Sequence, residues 1–241
     1  MNDSPEKKCP KLCAKHALLK AAEELFTRHA YSAVSTRDIA EAAGVNLGAI
    51  QYYFSSKSQL FVEAVRALIA RYWRTEDFLE FLSEVPATRE SAASQLCTFI
   101  YMMIHEMFYP RIPDACRILY REILGNAAED TEMFEALISS TIKEFGEPLH
   151  NQLAQILQKI CPKASDLEIN LQIQSIMGQC THYFINRPIL GRMKIIEFSE
   201  QQDFKRAVEH VCRFTLRAIG CGEGIIGKSL LKILELETQN S

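Results

Sequence analysis

The chain has 241 residues, 48% of them apolar and 24% charged, with a formal net charge of −3 at neutral pH. This is the balance of a globular chain long enough for one or two cores, and it excludes a disordered, collagen-like or disulfide-scaffold protein. No run of about 18 apolar residues occurs and residues 1–8 lack the apolar stretch of a secretory leader, so a cytoplasmic protein without a membrane span is expected.

The charge is uneven along the chain. Residues 1–74 hold 11 Lys/Arg against 7 Asp/Glu, a net of +4, and the remainder holds 16 against 23, a net of −7. A modestly basic head on an acidic body suits contact with phosphates at one end only. The eight cysteines are scattered through apolar helical patterns, so reduced and mostly buried thiols are expected. Cys9, Cys13 and His16 have i, i+4, i+7 spacing, but a fourth ligand is missing, and neither a metal nor a cofactor is expected.

Apolar residues recur at helical spacing throughout and alternating β-branched runs are absent, which predicts an all-α fold. In chain order the pattern predicts helices near residues 11–29, 36–43, 47–53, 57–82, 89–108, 114–126, 131–160, 166–186 and 203–219. Leu18, Ala21, Ala22, Leu25 and Phe26 form the buried face of the first; Leu60, Phe61, Ala64, Val65, Leu68, Ile69 and Tyr72 form that of the fourth. Ser35 with Asp38, Ser56 with Gln59, Ser165 with Glu168 and Ser199 with Gln202 have the spacing of capping boxes or close variants. Breaks are expected at Pro86, Pro110 with Pro113, Pro162 and Pro188, and a kink or interruption at Gly146 and Pro148. Gly220, Gly222, Gly224 and Gly227 predict a flexible linker, followed by a short amphipathic tail from Leu230 to Leu236.

Residues 35–54 carry the most specific signal. They read as two short helices around a tight turn, the layout of a helix-turn-helix whose second helix is offered to the major groove of DNA. Ile39, Ala40, Val45, Ile50 and Phe54 supply the apolar contacts, Gly44 suits the left-handed residue after the first helix, and Asn46 stands at the N-cap of the second. The fold does not call for the exposed set. Thr36 and Arg37 open the first helix, whose amides suit a phosphate; Leu47, Gly48, Gln51 and Tyr52 lie on the outer side of the second; Tyr53 and Lys57 flank its end. Gly48 allows close approach to base edges, and Gln51 has the geometry to pair bidentately with adenine.

With these residues in view, residues 12–60 resemble the DNA-binding domain of the TetR family of bacterial transcriptional regulators. The matching residues are Leu18 to Phe26, Ser35-Thr36-Arg37-Asp38-Ile39-Ala40, Ala43-Gly44-Val45, Ile50, Tyr52-Tyr53-Phe54, and Lys57 with Leu60. The resemblance implies an all-α homodimer whose heads bind a palindromic double-stranded operator, usually as a repressor released by a small molecule. It also implies that Thr36, Arg37, Tyr53 and Lys57 hold the DNA backbone, while Asn46, Leu47, Gly48, Gln51 and Tyr52 face bases. Leu47-Gly48-Ala49 departs from a hydrogen-bonding pattern, so readout leans on Gln51, on Arg37 and on contact with thymine methyls.

Residues 60 to 219 show no paired catalytic constellation and no phosphate-cradling glycine loop, so an enzyme is not expected. Aromatic and methionine-rich helical segments make Trp73, Phe99, Met103, Met107, Cys116, Tyr120, Arg121 and His182 candidates for lining a ligand cavity, with Arg121 or His182 fixing a polar group. Apolar stripes occur near 166–186 (Leu167, Leu171, Ile176, Met177, Phe184) and near 203–219 (Phe204, Val208, Val211, Phe214, Leu216). The family resemblance implies that these two helices form the dimer interface. Phe184-Ile185-Asn186-Arg187-Pro188-Ile189-Leu190 resembles the CecR-like branch.

The expected organisation is a DNA-binding domain over 10–58, a ligand-binding and dimerisation domain over 59–220, and a linker with a short tail over 221–241. Two rival readings stand beside a ligand-responsive repressor: a helical small-molecule-binding enzyme or carrier, and a protein-interaction module that takes no ligand.

Overall fold

The structure is a computed structural model that describes residues 10–73, 80, 81, 83–108, 113–125, 131–197 and 201–239. Among these residues the fold is all-α, with no strand. The chain divides into two compact units, one of residues 1–74 with 112–144 and one of 75–111 with 145–241.

The first unit begins with α1 (Pro10–Arg28), a single 3-10 turn at Tyr31–Ala33, α2 (Thr36–Ala43), α3 (Gly48–Phe54) and α4 (Lys57–Trp73). It is completed by α6 (Pro113–Gly125) and α7 (Thr131–Thr141). Leu18, Ala22 and Phe26 of α1 are buried with Ile39 of α2, Phe54 of α3, and Leu60, Phe61 and Val65 of α4. Of the residues expected at the first and fourth helix faces, Leu18, Ala21, Ala22, Phe26, Leu60, Phe61, Ala64, Val65, Leu68 and Ile69 are buried, Leu25 is half-buried, and the side chain of Tyr72 lies outside the described ones. The Phe26 and Phe61 rings meet edge to face at 4.7 Å, an arrangement that suits the ring quadrupoles.

The second unit is built around α5 (Arg89–Phe108), against which α8 (Glu147–Ile160), α9 (Asp166–Ile185), α11 (Gln201–Ala218) and α12 (Glu223–Gln239) pack; α10 (Arg187–Arg192) is a short turn of helix after α9. Ala92, Ala93, Leu96, Cys97, Ile100 and Ile104 of α5 are all buried on one broad face, and the opposite side, with Ser94, Thr98, Tyr101 and Met102, is half-buried, so no residue from Ser91 to His105 is exposed. Gln95 and Gln152 are buried as well. Both side-chain amide nitrogens donate to the carbonyls of Phe81 and Glu84, which gives these N–H groups acceptors inside the core.

Several expectations change. The interruption predicted at Gly146 and Pro148 takes the form of a π-helical turn at Ile142–Gly146 between α7 and α8. Pro188 does not merely end α9: it occupies the first turn of α10, where a missing N–H costs nothing. The glycine-rich segment is helical from Glu223 onward, not a flexible linker. Ile226, Ser229 and Ile233 on one face of α12 are buried, and that burial outweighs the roughly 1 kcal/mol by which each helical glycine disfavours the helix. The continuation of α4 expected to residue 82 crosses residues 74–79, and the cap expected at Ser199 falls at 198–200; both lie outside the described residues.

Candidate nucleic-acid interface

The turn between α2 and α3 is fixed by local chemistry. Ser35 caps α2: its hydroxyl accepts the Asp38 amide at 3.2 Å while Asp38 Oδ2 accepts the Ser35 amide at 2.8 Å, a complete capping box. The Ser35 hydroxyl and then its amide hold the Asp38 carboxyl below its ordinary range. At the other end of α2, Gly44 adopts φ +64°, its amide bonds to Glu41 O at 3.0 Å, and the Val45 amide reaches Ala40 O at 3.0 Å. These two bonds form a Schellman motif, in which a β-carbon would be strained. The N-cap of α3, expected at Asn46, falls on Leu47, one residue later. Asn46 Oδ1 accepts the Gly48 amide at 3.0 Å, and the Asn46 carbonyl accepts the Ala49 amide at 2.9 Å.

Ile50 and Phe54 of α3 face the core, which turns the rest of the helix outward. Asn46, Leu47, Gly48, Gln51 and Tyr52 are exposed on that side, Tyr52 at 69%. Its ring stands edge-on to Tyr53 at 4.8 Å, and Tyr53 is half-buried. A β-carbon built on Gly48 would meet only Asn46 Oδ1, at 3.6 Å, an ordinary contact. Nothing in the chain's own packing therefore demands a glycine there. Thr36 and Arg37 occupy the first turn of α2, where helix geometry leaves amides without intrahelical partners; Arg37 is exposed and Thr36 half-buried.

Lys57 is placed differently from the others. Its Nζ donates to the Tyr31 carbonyl at 2.7 Å and lies 4.0 Å from the Tyr31 ring centroid, so in this structure the ammonium sits within the head's own fabric. Ser55, between α3 and α4, has φ +62° and joins the two helices through a tight Ser56 N to Phe54 O contact of 2.7 Å. Sequence reading did not single out Tyr31, Ser55 or Glu122. Tyr31 was visible only as an aromatic between two helices; its partner Glu122 is 91 positions away, beyond any local pattern.

The eight ligand candidates are not brought together within either unit. Trp73, Cys116, Tyr120 and Arg121 belong to the first, and Phe99, Met103, Met107 and His182 to the second. Phe99 and Met103 are buried on α5, Phe99 stacked on Phe81 at 5.5 Å. His182 is exposed on α9, with Nδ1 3.0 Å from Asn186 Nδ2. Arg121 donates to the Phe26 carbonyl at 2.6 Å. The side chains of Trp73, Met107 and Cys116 lie outside the described ones. A groove of about 360 Å³ lies between α11 and α12, lined by Val208, Leu230, Leu231, Ile233 and Leu234 with Lys205, Glu209 and Arg213, and includes none of the eight. No group of three or more metal-ligating side chains occurs among the described residues, and no helix there is long and apolar enough to cross a membrane.

Comparison with known proteins agrees with this geometry. The family model of bacterial regulatory proteins of the tetR family matches residues 18–64, the stretch from α1 into α4. A second, the C-terminal domain of the HTH-type transcriptional dual regulator CecR, matches residues 92–219. The HTH-type transcriptional repressor NicS of Pseudomonas putida is 25% identical over 77% of this chain and 82% of its own, and the HTH-type transcriptional regulator RutR of Escherichia coli O157:H7 is 28% identical over 85% and 90%. For the regulator YttP of Bacillus subtilis, 29% identical, the match spans 47% of this chain and only about half, 52%, of that protein. Among solved structures, the transcriptional regulator FadR of Bacillus subtilis, crystallised with stearoyl-CoA, superposes with a TM-score of 0.53 at 16% identity, covering 83% of this chain and 96% of that one, a likeness of fold. With one family model on the helix-turn-helix and another over more than half of the sequence, the chain belongs to the tetR family of bacterial regulatory proteins and is a DNA-binding transcriptional regulator with a CecR-type C-terminal domain.

Proposed function

We propose that the protein is a homodimeric repressor that binds a palindromic operator through α3 and releases it when a small molecule binds the C-terminal domain. The observation that carries the DNA-reading part is the outer side of α3, where Leu47, Gly48, Gln51 and Tyr52 are exposed and Gly48 answers to no packing need of the chain. In this reading Gln51 and Tyr52 face bases with Asn46, Leu47 and Gly48, while Thr36, Arg37, Tyr53 and Lys57 serve the phosphates. Lys57 would do so from its seat on Tyr31.

The dimer is supported by the apolar stripes of α9 and α11, which divide between two environments. Ile176, Phe204, Val208, Val211 and Leu216 are buried in their own unit, whereas Leu167 (67%), Leu171 and Phe214 (56%) stay exposed. Large exposed side chains on two neighbouring helices fit a surface that a second copy covers. Two heads about 34 Å apart would then enter successive major grooves. A ligand shifts such a dimer only by its differential affinity for the DNA-competent separation. NicS, named as a repressor, supports the sign of regulation, and the stearoyl-CoA complex of the similarly folded FadR supports a ligand. The function proposed includes no catalytic step.

The test is selection of duplexes from a random pool by the full chain, followed by binding of Gln51→Ala and Tyr52→Ala to the selected sequence. A palindromic consensus is expected, and each variant should lose about 1–3 kcal/mol of discrimination. Unchanged sequence preference in both variants would refute the assignment of α3. Light scattering gives the oligomeric state, and Phe214→Glu should yield monomers.

A further inference from the structure

The corner between α1 and α2 is held from a helix far along the chain. Arg121 and Glu122 lie on α6, in the same unit as the head. Arg121 donates from Nη2 to the Phe26 carbonyl at 2.6 Å and from Nε to Glu122 Oε1 at 3.1 Å. The same Glu122 oxygen accepts the backbone N–H of Tyr31 at 3.3 Å. Phe26 stands in the last turn of α1, whose carbonyls lack intrahelical donors and whose negative end favours a cation. Arg121 and Glu122 are both largely covered, at 27% and 12% side-chain exposure, so neither bond is a casual surface contact.

Tyr31 connects this corner to α4. Its ring is buried against Phe61 at 5.1 Å, its hydroxyl is 2.8 Å from Ser58 Oγ, and its carbonyl and ring both hold Lys57. Lys57 and Ser58 open α4 just past Ser55, where α3 ends. A continuous run of polar contacts therefore leads from α6 to the exit of α3.

We propose that Arg121 and Glu122 are positioning residues for the DNA-reading head: they fix the Tyr31 corner and, through Lys57, set the angle of α3. This rests on the DNA-binding role of α3 proposed above. Arg121 and Glu122 are adjacent on α6, so a turn of that helix by one residue, about 100° at 3.6 residues per turn, removes both bonds together.

The test is a double-mutant cycle on the full chain with affinity for the selected duplex as readout. Glu122→Gln, Arg121→Met and Lys57→Met are made singly, and each of the first two is combined with Lys57→Met. Each single change is expected to weaken binding by about tenfold, the scale of one charge-assisted hydrogen bond, and each double by no more than its worse single. Losses that multiply in the doubles overturn the proposal. Arg121→Lys replaces Arg121→Met should the latter fail to fold. Hydrogen exchange without DNA separates the clamp from the DNA reading. With Arg121 or Glu122 changed, amides of residues 56–60 lose protection together with Tyr31; loosening that stops at Tyr31 overturns the proposal. If the unaltered chain selects no duplex, the DNA reading fails, and the exchange pattern still decides the clamp.

Discussion

Adding one methyl group at Gly48 separates what the fold needs from what the groove needs. The β-carbon of Gly48→Ala meets only Asn46 Oδ1, at 3.6 Å, and Gly48 has no positive φ, so the fold accepts it without a shift. Glycine costs roughly 0.5–1 kcal/mol relative to alanine inside a helix; in the first turn part of that is recovered, so stability should rise by about 0.5 kcal/mol. Binding should move the other way. A helix with side chains is about 10–12 Å across and the major groove about 12 Å wide, which leaves little slack. A methyl on the approaching side pushes α3 outward and lengthens the contacts of Gln51, worth about 1–3 kcal/mol for a bidentate pair, or roughly 5- to 150-fold in affinity. Thermal unfolding and fluorescence anisotropy on the selected duplex read the two effects independently. A more stable variant with unchanged affinity would refute the close approach of α3, and a less stable one would refute the packing argument.

Acid titration should expose the two capping boxes. Asp38 is held low by Ser35, and Glu168 is held low by the amide and hydroxyl of Ser165. A folded value below the unfolded one gives stabilisation that is complete above the unfolded value, about 4, and lost as pH falls through the folded value. Stability in urea should therefore climb with pH across the acid range and flatten by about pH 5 for these groups, and Ser35→Ala should return Asp38 to the ordinary range by carbon NMR. Burial pushes the Cys180 thiol up to about 12 and raises Cys212 as well, so alkylation of the native protein near pH 8 should reach exposed Cys13 first and spare both buried thiols, as read by mass spectrometry. Gln95 and Gln152 serve the same two carbonyls. Either Gln→Leu change alone should cost about 1 kcal/mol in denaturant unfolding, and both together clearly more than the sum, because each amide stands in for the other at these two carbonyls.

The head was legible because its signals are local. Ser35 with Asp38 and Gly44 act within three or four positions of themselves and make the bonds expected of a capping box and a left-handed helix end, whereas the N-cap expected at Asn46 falls one residue later, on Leu47. The C-terminal glycines misled because helix propensity is a local quantity and burial is not. Ile226 and Ile233 gain their worth from α5, more than a hundred residues earlier, and no reading of residues 220–236 alone contains that partner. The stripes on α9 and α11 illustrate the same limit. Periodicity marked Leu171 and Ile176 alike as apolar, yet one is exposed and the other buried, because a stripe wider than the available core leaves part of itself outside. Arg121 stood out as a lone cation in an apolar pattern, and the structure gives it a carbonyl in α1 that sequence spacing could not supply.

If α3 reads DNA as proposed, its Leu47-Gly48-Ala49 stretch offers few hydrogen bonds to bases, and the demand for precision passes to the rest of the head. Bidentate pairs tolerate little error but correct it, since each bond draws the helix into register. Contact with thymine methyls and close backbone approach do neither: they depend on distance alone and fall off steeply with it. Such a surface discriminates only if α3 is delivered at a fixed angle by what lies behind it. Behind α3 are Phe54 in the core, the constrained Ser55 junction and Lys57 seated on Tyr31, itself held by Glu122. In the proposed reading, the few base-pairing groups in front of the helix and the dense contacts behind it belong together, and specificity is set by placement more than by the number of bonds made to bases.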